Sequence, residues 1–209
     1  MPMTPRLRKF ALLAHVAISL GWAGAVASLL ALAVSGLASA DARIVRAAYP
    51  AMELIGWFVI VPLCLAALAT GLVQSLGTPW GLFRHYWTVV KLMLTLGATL
   101  LLMVHMKPIM RMSAVAADPA AFPGDDAGLR VQLVGDAALA LVVLLATATL
   151  GIYKPWGRTH YGLRRAGRPA REPSARPGRP WGLYAVLALV AVVIAAAVLH
   201  LAGGGHGRH

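Results

Sequence analysis

Apolar residues run along this chain in five long blocks, at about 10–37, 52–74, 86–105, 131–152 and 181–201, with polar breaks between them. At ~1.5 Å per residue, twenty such residues cover roughly the 30 Å of a bilayer's hydrocarbon core. The pattern therefore predicts an all-α polytopic membrane helix bundle of five transmembrane helices. The first block is too long for the ~7–15-residue core of a secretory signal, so an uncleaved first helix is favoured over a signal peptide ending at Ala38-Ser39-Ala40. Pro62 is expected to kink the second span near its middle. Residues 38–50 and 107–130, the latter rich in Ala, Pro, Gly and Asp, read as loops. Four organisational units follow: a four-helix membrane core (1–153), a basic Pro/Arg-rich linker (154–180), the fifth helix (181–202) and a flexible tail (203–209).

Composition agrees with a membrane location: 59% of the 209 residues are hydrophobic and 12% are charged. The formal charge of +12 could suggest nucleic acid, but its distribution excludes that reading. Eight of the nineteen Lys and Arg residues fall between Lys154 and Arg179. Such a juxtamembrane segment orients a protein and attracts anionic lipids. With the N-terminus in the cytoplasm, thirteen basic residues lie inside and six outside, which selects an N-in/C-out arrangement in the plasma membrane. Pro-Trp-Gly occurs three times, beginning at Pro79, Pro155 and Pro180, and this topology puts all three on the cytoplasmic face. Cys64 is the single cysteine, so there is no intramolecular disulfide and packing is its expected role.

The candidate chemistry lies in the few polar residues inside the spans. Trp87, Lys91 and His105 fall on one face of the third span at ~100° per residue. A Lys inside a span is costly, so this face should look into the bundle. His15, Ser19 and Trp22 are spaced i, i+4, i+7 and share a face of the first span. Topology brings His15, Thr70, Gln74 and Lys91 to the cytoplasmic half, and Glu53, His105, Asp136 and His200 to the other. Three readings of the inner group stand: hydrogen-bonding glue between helices, a cofactor site, or a proton path. In the second, His15 ligates a haem b iron or a metal and Lys91 meets an anionic group such as a propionate. His105 with Met106, Met103, Met110 and Met112 offers soft donors that suit copper, although Met is also ordinary apolar filler.

Beyond these residues, His15, Trp22 and Gly24 form an H-x6-W-x-G pattern. Thr70-Gly71, Thr78-Pro79-Trp80-Gly81 and Lys91-Leu92 follow in order. Together they resemble the copper resistance protein D-like superfamily of integral membrane proteins. Trp87 and Lys91 are also distantly similar to an element of HemJ-type protoporphyrinogen oxidases. The resemblance covers residues 10–112 and implies a helical membrane bundle with copper handling or haem-linked redox chemistry. It implies a cofactor site at His15, Trp22 and Lys91, and a metal site drawing on His15, His105 and Met106. The stretch Ala25–Leu37 lacks the further polar segment expected of the oxidases, and relatives of the superfamily are usually longer. No catalytic constellation is recognisable: there is no phosphate-binding loop, no nucleophile triad and no zinc-protease helix. The alternative is a non-catalytic membrane component acting through its basic linker on lipids or a protein partner. Homo-oligomerisation is compatible with either.

Overall fold

The computed structural model describes residues 3–77, 86–118, 120 and 126–153. Among these there are helices and no strands, and four helical rods are long and apolar enough to cross a membrane. The fifth span, the basic linker, the tail and all three Pro-Trp-Gly motifs lie outside the described residues.

The first rod, α1 (Pro5–Ala38), starts where the sequence offers a complete cap. The Thr4 hydroxyl accepts from the Leu7 amide, and Pro5 occupies the first turn, where its missing N–H costs nothing. The rod is 34 residues long, about 51 Å at 1.5 Å per residue. It therefore projects beyond the hydrocarbon core.

The second rod departs from expectation. Residues 38–50 are not a loop. Helix α2 (Ala42–Ile55) begins at Asp41, whose carboxylate accepts from the Arg43 amide at 2.8 Å. Val45, Ala48, Tyr49 and Met52 form a buried stripe at helical spacing. Helix then runs without interruption through a π turn (Gly56–Ile60) into α3 (Val61–Gly77). Pro62 comes immediately after that turn. A proline removes one i→i−4 bond and crowds the carbonyl before it. Here the Val61 amide reaches back five residues to the Gly56 carbonyl, a wider turn that absorbs the misfit.

The third rod, α4 (Tyr86–Ala117), also outruns its expected end at residue 105. It passes through Pro108 because Met106, Ile109, Met112 and Ala116 continue one buried stripe. Packing against α2 outweighs the lost hydrogen bond. The fourth rod is α5 (Ala127–Tyr153), four residues earlier in its start than the expected span.

The rods form a ring in which α1 and α4 lie across a diagonal. Each packs against the α2–α3 rod on one side and α5 on the other. The core runs down the centre through Trp22, Ala33, Met52, Ile60, Cys64 and Met112. Cys64 is fully buried, its thiol 3.2 Å from the Val61 carbonyl, in keeping with packing. Outward faces carry Leu13, Leu20, Phe58, Leu100 and Ile152, all strongly exposed. That is the arrangement a lipid solvent requires.

Two arginines fasten the end of the bundle remote from the N-terminus. Arg130, in the first turn of α5, donates to the Tyr49 hydroxyl at 3.1 Å and to the carbonyls of Gly36 and Leu37 at the end of α1. Arg46, on α2, donates to the carbonyls of Ala116 (3.2 Å) and Asp118 (2.7 Å) at the end of α4. Each satisfies orphan carbonyls and sets a cation at the negative end of a helix dipole. Gly36 is needed here, since a Cβ would sit 2.8 Å from the Tyr49 ring and hydroxyl.

Candidate functional site

Among the described residues, a larger and a smaller cavity lie between the rods, one above the other along α1 and α4. The larger, at the N-terminal end, has a volume of about 680 Å³. Its walls come from all four rods. His15 and Ser19 stand on α1, Gly71 and Gln74 on α3, Trp87, Thr88 and Lys91 on α4, and Gly151 on α5. A volume in this range suits a cofactor or a drug-sized ligand.

Nδ1 of His15 lies 2.9 Å from the Thr70 hydroxyl oxygen. That hydroxyl also lies within reach of the helix carbonyls of Ala66 (2.7 Å) and Ala67 (3.2 Å). With its single proton on one of those carbonyls, Thr70 accepts from Nδ1–H, and that tautomer leaves Nε2 its lone pair. Ligating histidines use this device, holding one ring nitrogen by a neighbour so that the other can bind. Gly71 completes the seat. A Cβ there would stand 3.3 Å from His15 Cε1, so the ring lies against bare backbone. Gln74 braces the same pair of helices by donating to the Ala11 carbonyl at 2.8 Å.

Lys91 lines the same cavity from the opposite rod, its Nζ 3.2 Å from where a Cβ on Gly151 would be. Trp87 is beside it on the cavity wall. His15 and Lys91, though 76 positions apart in sequence, thus share one cavity, as the depth argument expected.

The smaller cavity, about 60 Å³, lies deeper along the rods between α1, α4 and α5. Trp22 lines it with Val26, Leu144 and other apolar side chains, and at its edge His105 meets Asp136. Nε2 of His105 is 2.9 Å from an Asp136 oxygen, and Nδ1 is 2.7 Å from the Leu101 carbonyl. A carbonyl only accepts, so Nδ1 is protonated. The close Nε2–carboxylate contact ties α4 to α5.

The remaining expected ligands are not gathered. His15 and His105 open onto different cavities, and Trp22 belongs with His105 rather than with His15. Met106 is buried against Gly56, where a Cβ would approach its sulfur to 2.9 Å. Met112 is fully buried, whereas Met103 and Met110 are exposed, so the four methionines share no site. Among the described residues, no group of three His, Cys, Asp or Glu side chains is placed to hold a metal ion. Sequence reasoning missed Thr88 and Gly151 of the large cavity and both arginine fasteners. Tyr49-Pro50 looked like loop punctuation, and Arg130 fell just before the expected start of its span.

No family model, curated protein or solved structure matches the chain.

Proposed function

We propose that this is a plasma-membrane protein, N-in/C-out, that holds a cofactor in the large cavity, with His15 Nε2 as the ligating atom. Haem b is the cofactor whose needs these residues meet best. It requires one imidazole with a fixed tautomer, a cavity of several hundred cubic ångströms and apolar walls, and it supplies one-electron redox chemistry when bound. The carrying observation is the His15–Thr70 contact, which, with Nδ1–H donating to Thr70, leaves the Nε2 lone pair for a metal. The likeness of His15, Trp22, Gly24 and Lys91 to copper resistance protein D-like and HemJ-type patterns supports the same reading. Copper has less support, because His15, His105 and Met106 are dispersed.

The direct experiment is purification in mild detergent from cells supplied with a haem precursor, followed by absorption spectroscopy and iron analysis. Wild type should show a Soret band with about one iron per chain, and His15→Ala should show neither. A featureless visible spectrum from wild type, with no iron, would reject the haem assignment.

A further inference from the structure

The wall facing His15 carries its own recognition chemistry. Lys91 and Thr88, three positions apart on α4, share a face and both line the large cavity. Thr88 is 6% exposed, yet its hydroxyl has no hydrogen-bond partner. A buried orphan hydroxyl costs free energy, and native interiors contain few of them. Lys91 has no carboxylate partner among the described residues. Three other side-chain donors of this cavity are committed: Thr95 to the Lys91 carbonyl, Ser75 to that of Gly71, and Gln74 to that of Ala11. Among the described residues, two cations, Lys91 and Arg8, line the cavity, and no Asp or Glu does.

We infer that Lys91 Nζ forms a carboxylate-binding subsite, joined by Thr88 Oγ1 once rotation of its side chain turns that buried hydroxyl to the cavity, and that the cavity takes an amphiphile whose apolar body lies along Leu12, Val16, Leu68 and Leu92. The inference rests on the proposed reading only in treating this cavity as a ligand site. It needs no iron and no bond to His15. Lys91 lines the cavity from a rod long and apolar enough to cross a membrane, where an ammonium needs an anionic partner. The donor set matches as well, with one ammonium and one hydroxyl for the two oxygens of a carboxylate. Gly151 leaves room for the ammonium where any larger residue would crowd it.

The test uses two carboxylate sources, a fatty acid and haem, each against its ester. Wild type, Thr88→Val, Lys91→Met and His15→Ala, purified in a non-ionic detergent, are titrated with oleate, methyl oleate, hemin and hemin dimethyl ester. Oleate should bind wild type at least about tenfold more tightly than methyl oleate, the worth of one charge-assisted hydrogen bond. Lys91→Met should abolish that preference. Thr88→Val should weaken oleate while leaving the thermal stability of the ligand-free protein unchanged or raised, since it deletes an unsatisfied polar group. His15→Ala should retain the oleate preference. Selectivity for hemin over its diester, without selectivity for oleate, would assign the subsite to the cofactor's carboxylates; oleate selectivity without a Soret shift would sustain the subsite and remove the haem reading. Equal binding of acid and ester for both ligands, or an undiminished preference in Lys91→Met, overturns the inference.

Discussion

Replacing Arg130 with Met tests how the bundle is closed. The substitution keeps a long apolar stem and removes donors to Tyr49 Oη (3.1 Å), Leu37 O (3.0 Å) and Gly36 O. Hydrogen bonds involving a charged partner contribute about 1.5–3 kcal/mol each, and a cation at a helix C-terminus about 0.3–1 kcal/mol. The plain sum overstates the loss, because Arg130 is only half-buried and water can re-solvate the two α1 carbonyls. About 2–4 kcal/mol is the expected destabilisation. Tyr49→Phe removes one of the three bonds and should cost about 1 kcal/mol. The double variant should be no less stable than Arg130→Met alone, because the bond that Tyr49→Phe deletes is already gone, which makes the coupling about 1 kcal/mol. Reversible unfolding in mixed detergent–SDS micelles, followed by circular dichroism, measures all three differences. Arg130→Met within about 0.5 kcal/mol of wild type, or strict additivity of the two changes, would refute the clamp.

Four further outcomes are expected. Gly56→Ala should destabilise by about 1–3 kcal/mol through overpacking, since its Cβ would stand 2.8 Å from Met106 Cε. Gly24→Ala, with nothing within 4 Å of its Cβ, should be neutral or stabilise by up to about 1 kcal/mol; the same unfolding assay ranks the two. Asp136→Ala strands His105 in the core and should cost about 2–4 kcal/mol, whereas replacing both partners with Leu should recover most of it. If the double variant unfolds as readily as the single, the pair does more than join α4 to α5. Thr70→Val removes the acceptor that fixes the His15 ring and should weaken hemin binding about 10–100-fold without abolishing it, as read from a hemin titration.

The helical class and the inward faces of α1 and α4 were legible because lipid imposes a strong rule. Long apolar runs announce spans, and polar residues within them must face protein. That logic placed His15 and Lys91 at one depth, and they line one cavity. The boundaries were less legible. Proline statistics favour breaks at Pro50 and Pro108 and a kink at Pro62, and helix passes through all three. In each case a buried partner or a π turn compensates, and those partners are distant in sequence. Tyr49 meets Gly36 and Arg130, and Met106 meets Gly56. Sharing a helix face was also a weaker guide than depth. Lys91 and His105 share a face but lie fourteen residues apart, about 21 Å at 1.5 Å per residue, and so belong to different cavities. The orphan hydroxyl of Thr88 left no trace in the sequence, because satisfaction is a property of the packed structure.

Hemin titration of purified wild type and His15→Ala, followed in the Soret region with imidazole then added to the variant, bears most directly on the role of Nε2. Wild type should saturate at one hemin per chain with a shifted, sharpened band; the variant should show no such shift until imidazole fills the place of the lost ring. An identical wild-type and variant spectrum would contradict the account.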